Sequence, residues 1–206
     1  MTQRVTNICL TATIAVGLAV AGVATMAEAA PHDKPLQVAI RDVNGIRVGT
    51  LVVAPKDRAR SRVTVRVRDL PAGYHGFHIH SVGLCDAKAV DPATKAVSPF
   101  FSAGGHLDLA PGGHSHPSHS GDLPPLLVGR NGTGSASFLT DRFRAGQLTD
   151  ADGSAIIVHG LADNQANIPP RYAPGGPDSD TLKTGDSGPR IACGAIKAIK
   201  GGKAPK

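Results

Sequence analysis

Residues 62–80, "RVTVRVRDLPAGYHGFHIH", alternate apolar and polar residues in their first half and apolar residues and histidines in their second. Val63, Val65 and Val67 fall on one face of an extended chain, and Thr64, Arg66 and Arg68 on the other. That period of two is the mark of a half-buried antiparallel strand and is useless to a helix. After the turn Pro71-Ala72-Gly73, Phe77 and Ile79 take a core face, while His78 and His80 project together from the other, about 6.6–7 Å apart along the backbone. Two imidazoles so spaced can converge on one ion, although a His-x-His pair alone is a weak metal signal. His75, in phase with Phe77, is expected to be a buried, hydrogen-bonded structural histidine.

The same reading extends to both sides. "PLQVAIRDVNGIRVGTLVVAP" (35–55) carries Asn44-Gly45 between apolar-rich runs, the form of a two-residue hairpin turn. "LPPLLVGRNGTGSASFLT" (123–140) reads as strand, glycine-rich turn, strand; "SAIIVHGLA" (154–162) as a buried strand ending at a histidine; "RIACGAI" (190–196) as a last strand. Residues 81–121 and 162–190 have no sustained period and are expected to be long loops. With no Trp, 3% aromatics, 25 Gly and 16 Pro, turns and short strands are favoured over a helical bundle. The class is all-β, a sandwich or barrel whose two long loops carry function.

Arg4, an apolar run from about Ile8 to Val23, and the small residues of Ala27-Glu28-Ala29 make residues 1–30 a secretory signal peptide. The run is too short for a membrane span and no basic stop follows it. Residues 31–196 are then one domain, and 197–206 a basic flexible tail. Removing the signal leaves Cys85 and Cys193 as the only thiols of an exported chain, so one disulfide is expected. The formal charge is +6, concentrated in a basic strand near residue 60 and in the tail. No aromatic residue is interleaved with the tail lysines, which argues against nucleic acid as a partner.

A second histidine cluster strengthens the metal reading. "GGHLDLAPGGHSHPSHSGD" (104–122) places His106, His114, His116, His119 and Asp122 in one loop, and His159 and Asp163 follow the buried strand. Imidazoles with a carboxylate suit zinc or copper, whereas calcium and magnesium take oxygen.

"HGFHIH", "GGH", "HSGDLP", "VHGLADN" and "GPRIACG" occur in an order and spacing that resembles the copper/zinc superoxide dismutases of the secreted bacterial type, from about Leu36 to Ile196. "SVGLC" and "DNQANIPPRY" look like the actinobacterial branch. The resemblance implies an immunoglobulin-like Greek-key β-sandwich or barrel. It implies that two superoxide anions become dioxygen and hydrogen peroxide through Cu(II)/Cu(I) cycling, with copper on His78, His80, His106 and His159. His106 would be a bridging imidazolate shared with zinc, and zinc would add His119, Asp122 and either His114 or His116. Counting forward from His106 selects His114; counting backward from Asp122 selects His116, which is preferred. Asp163 would link a copper histidine to a zinc histidine, Cys85 would pair with Cys193, and Arg190 would set a guanidinium beside copper. The loop is shorter than the eukaryotic pattern, so zinc is less firmly implied than copper. A copper-only dismutase, or a non-catalytic copper-binding protein on the same fold, are the alternatives. The partners expected are superoxide and, as an open question, a second copy of the chain in a homodimer; no nucleic acid and no membrane span in the mature chain are expected. Location is exported: secreted, periplasmic or in the cell envelope.

Overall fold

The computed structural model describes residues 34–111 and 113–197. The expected signal peptide and all of the basic tail after Lys197 lie outside them. Nine strands appear in chain order: β1 Leu36–Asp42, β2 Arg47–Pro55, β3 Ser61–Val67, β4 Gly73–His75, β5 Phe77–His80, β6 Leu126–Val128, β7 Gly134–Thr140, β8 Ser154–His159 and β9 Arg190–Ile196. They form one sheet in the order β4-β6-β7-β3-β2-β1-β9-β8-β5, antiparallel throughout. The sheet curls into a nearly closed barrel. The one α-helix among the described residues, α1 Thr181–Thr184, is a single turn in the second long loop. No described helix is long and apolar enough to cross a membrane.

The alternation read from residues 62–68 is the packing observed: Val63 and Val65 are fully buried, with Leu51, Val53, Ile40, Phe77, Ile79, Ile156 and Val158 in the same core. Thr64 and Arg66 face outward. "HGFHIH", however, is not one strand. It divides at Gly76 into β4, which pairs with β6, and β5, which pairs with β8. These are the two ends of the strand order, so Gly76 is the link that carries the chain across the seam of the barrel. Its backbone is held there by Gly76 N donating to Leu161 O (2.8 Å) and by His159 N donating to Gly76 O (2.8 Å). A Cβ at Gly76 would strike the Ser187 side chain. His75, on β4, is buried as expected, with Nδ1 and Nε2 at 2.7 and 2.8 Å from the carbonyls of His159 and Pro71.

The first hairpin also differs from its expectation. The connection is four residues, 43–46, because Asp42 Oδ1 accepts from both Asn44 N (2.9 Å) and Ile46 N (2.8 Å) and widens the turn, with a bulge at Ile40/Arg41. Cys85 and Cys193 form a disulfide across a separation of 108 residues, with Cα atoms 5.8 Å apart. In the chain-entropy account such a closure stabilises by about 5 kcal/mol.

Candidate metal centre

The loop after β5 returns alongside that strand and is tied to it by backbone bonds at both of its ends. Leu107 N donates to Ile79 O (2.8 Å), Ile79 N to Gly121 O (2.9 Å) and Gly121 N to Leu107 O (2.7 Å). His80 thereby bridges His106 and His78 bridges Asp122. Gly121 is required in this arrangement, since a Cβ there would run into the Ile79 carbonyl. The pleat of β5 turns His78 and His80 to one side, and the pairing of β5 with β8 brings the end of β8, with His159, beside them.

Two groups result. One ligand atom each from His78, His80, His106 and His159 all lie within 4.8 Å of one another, and so do one each from His78, His106, His116 and Asp122. The rings are close: 4.1 Å between the centroids of His78 and His106, 4.9 Å for His78 and His159, and 5.0 Å for His80 and His106.

Hydrogen bonds at the periphery orient the imidazoles. His80 Nδ1–H donates to Gly104 O (2.9 Å) and His159 Nδ1–H to Gly188 O (3.2 Å), which leaves each Nε2 as the inward lone pair; those two atoms are 3.4 Å apart. His78 is held the other way round, Nε2 on Asp163 Oδ2 at 2.7 Å, so its Nδ1 turns inward. Asp163 Oδ1 meets His116 Nε2 at 2.8 Å, and this carboxylate, fully buried, joins the two groups. His106 Nδ1 is 2.6 Å from Asp122 Oδ1, His116 Nδ1 3.1 Å from the same oxygen, and His119 Nδ1 3.0 Å from Asp122 Oδ2. Such outer carboxylates and carbonyls set tautomer and ring angle at metal sites.

Burial keeps three rings of the first group neutral. It pushes His80 well below the ordinary histidine value, His106 down to about 4 and His159 down to about 3. Near neutral pH these rings therefore offer lone pairs without first losing a proton. His116 behaves oppositely: burial lowers it, but the carboxylates of Asp122 and Asp163 outweigh burial and raise it to about 9. Burial would raise both carboxyls, yet the histidines facing them hold Asp122 and Asp163 well below the usual range. A cation entering the second group must displace the proton on His116.

The donor set fits copper and zinc on a direct structural observation. Two buried ring nitrogens, His78 Nδ1 and His106 Nε2, have no hydrogen-bond partner. Buried polar atoms left unpaired are costly, and nitrogen with one carboxylate is the chemistry these two metals take.

Of the residues read from sequence, two lie outside both groups: His119, which stays beside the second group through its 3.0 Å contact with Asp122, and His114, whose side chain is 39% exposed and pairs with Asp108 at 3.2 Å. Arg190 opens β9, where Nη1 donates to Phe100 O (2.6 Å) and Nη2 to Gly104 O (2.7 Å), the carbonyl that also accepts from His80. An ordinary surface pairing with Asp186 does not form; Asp186 accepts from Asn164 and Thr181 instead. Burial lowers the Arg190 guanidinium to about 10, which leaves it charged at neutral pH, and that charge helps to lower His80. The disulfide partner Cys193 lies on the same strand.

Two contributors escaped sequence reading. Arg142, just past β7, donates from Nη1 to Pro117 O (2.9 Å) and His119 O (2.8 Å), clamping the loop that carries His116 and His119. Gly185, the C-cap of α1 with φ +60°, lies against Asp163 and His116, where a Cβ would strike both. Arg142 has no local signature; Gly185 is visible only as a helix-ending glycine.

Comparison with known proteins gives a consistent result. The family model "Copper/zinc superoxide dismutase" matches residues 48–196. A protein named "Superoxide dismutase [Cu-Zn]" from Mycolicibacterium paratuberculosis is 40% identical over 183 residues, 84% of this chain and 78% of that one. One of the same name from Mycobacterium tuberculosis is 45% identical over 138 residues, 65% of this chain and 57% of that one, so the match spans little more than half of this relative. The solved Cu/Zn superoxide dismutase of Brucella abortus is similar with a TM-score of 0.62 at 27% identity, covering 79% of this chain and 99% of that one.

Proposed function

The chain belongs to the copper/zinc superoxide dismutase family, and from that premise we propose that it converts two superoxide anions and two protons to dioxygen and hydrogen peroxide, with His78, His80, His106 and His159 holding copper and His106, His116, His119 and Asp122 holding zinc. The observation that carries this reading is the convergence of four histidines from three segments within 4.8 Å, three of them with pKa values driven down by burial. Copper supplies the one-electron cycling between Cu(II) and Cu(I), and zinc, which has no accessible second oxidation state, supplies a fixed charge.

The protein's own groups account for the rest. His78, His80 and His159 are held rigidly by Asp163, Gly104 O and Gly188 O, so their inward nitrogens do not reorient. His106 belongs to both groups, and its unpartnered Nε2 is the atom that can hold and pass a proton to departing peroxide while Nδ1 stays on the Asp122 side. Arg190 supplies fixed positive charge and planar donors for a small anion, which raises its rate of arrival. Export of the mature chain, with residues 1–30 as the signal, is part of the same reading.

Arg190→Ala is expected to lower the rate of superoxide consumption by about tenfold or more, in line with the gains that focused charge brings, while copper per chain stays the same. Arg190→Lys should recover part of the loss through charge alone. Unchanged activity in Arg190→Ala at full copper content would remove this residue from the mechanism.

Zinc content separates the two loop histidines. His116→Ala is expected to cut zinc per chain severely, because His116 is the ring between Asp122 and Asp163. His114→Ala should leave zinc content as it was. Elemental analysis of both variants is the measurement, and zinc lost from His114→Ala alone would reverse the assignment.

A further inference from the structure

The basic strand near residue 60 has no part in the metal site. Its arginines lie on the outside of the barrel, on strands three or more places from β5 in the sheet order. Arg41 on β1, Arg47 on β2, and Arg62 and Arg66 on β3 are all exposed, as is Arg68 just beyond β3. Arg41 and Arg47 are direct cross-strand partners. Like charges placed opposite each other on a sheet are destabilising, and a sequence that only had to fold would put threonine or serine there. Among the described residues the one carboxylate paired with these five arginines is Asp69, on Arg68 at 3.0 Å. Among the described residues Arg62 and Arg66 make no side-chain hydrogen bond or ion pair.

The shape of this face is informative. Arg47, Arg66 and Arg68 line one concavity of about 350 Å³ with Thr50. Arg66 also lines the next, of about 520 Å³, with Thr133 and Ser135. Arg66 thus stands between two adjoining hollows that cross β2, β3 and β7, each carrying hydroxyls and neither lined by an aromatic ring. Arginine forks match carboxylates in two parallel hydrogen bonds. Hydroxyls suit the polar substituents of a sugar ring, and the lack of aromatic rings removes the stacking platforms on which nucleic-acid bases rest.

We propose that this arginine-lined outer face of β2, β3 and β7 is a docking surface for an acidic polysaccharide, its carboxylates on Arg47, Arg66 and Arg68 and its hydroxyls on Thr50, Thr133 and Ser135. A chain bound here leaves the metal centre open, so the enzyme can be retained on a polyanionic matrix while it works.

The test uses the metal-loaded full chain, titrated with a polyuronate oligomer, neutral dextran and a single-stranded DNA oligomer of similar charge, at about 20 mM and about 150 mM salt. The expected result is binding of polyuronate, none of dextran, and weaker binding of DNA. Arg47→Ser/Arg66→Ser should weaken polyuronate binding by about tenfold. The charge-matched control Arg58→Ser/Arg171→Ser should change it by less than about twofold if position rather than net charge matters. Superoxide consumption should be equal in all three proteins. The unfolding temperature of the first double variant should change little, since relief of the facing Arg41 and Arg47 charges offsets the lost exposed bond from Arg47 Nη2 to Thr50 Oγ1 (2.8 Å). Equal losses in both variants would reduce the effect to net charge and overturn the proposal. So would DNA binding as tight as polyuronate binding, or no polyuronate binding at the lower salt.

Discussion

Replacing His106 by alanine is expected to abolish measurable superoxide consumption and to lower both copper and zinc per chain. No other single ring is expected to do as much. His106 is one of two residues common to both ligand groups, and its two nitrogens are used differently: Nδ1 sits 2.6 Å from Asp122 and Nε2 is buried without a partner. Losing an outer partner of a metal ligand typically costs about 10–100-fold in affinity or activity; losing a direct ligand shared by both groups should cost more than that. The vacated volume cannot be rescued by rearrangement, because Leu107 and Gly121 hold the loop to β5 through the backbone. Metal content and activity should be measured together, with circular dichroism to establish that the barrel persists. His106→Ala with one copper per chain and undiminished turnover would dismantle the shared-ligand reading.

Chelation of both metals should lower the unfolding temperature strongly. Metal-free protein keeps buried ring nitrogens of His78 and His106 without partners, and each unsatisfied buried group carries a cost of about 1–3 kcal/mol. A ligand present at about a thousand times its dissociation constant stabilises the native state by about 4 kcal/mol. For a domain of this length that corresponds to roughly 8–16 °C, with tighter binding giving more. Calorimetry of the chelated and reloaded protein is the check. A transition that does not move on chelation would mean that the histidine groups hold no ion in the folded state.

The extent to which the site could be read in advance follows from how local each feature is. Val63, Val65 and Val67 alternate with polar residues, and a period of two needs only neighbouring residues to be recognised, so β3 is legible in this way; β8 is legible as a short continuous apolar run, and β7 by the glycine-rich turn before it. "HGFHIH" misled for the same reason. Its pattern is continuous, but the break at Gly76 comes from Leu161 and Ser187, more than eighty residues away. The wider first turn comes from the Asp42 side chain accepting two amides, which the Asn44-Gly45 signal concealed.

The amino-acid sequence by itself determined that the chain is all-β, that histidines are concentrated where strands give way to loops, and that two cysteines are available to each other; strand periodicity and residue chemistry are enough for that. Only the tertiary structure decided which imidazoles meet. His116 joins Asp122 and Asp163 while His114, two residues earlier, turns outward to Asp108; Arg142 grips Pro117 and His119; Arg190 binds the carbonyls of Phe100 and Gly104 and ignores nearby Asp186. Each of these choices depends on a backbone hydrogen bond or a carboxylate brought from elsewhere in the chain, and contacts between distant segments leave no periodic trace in the segments themselves.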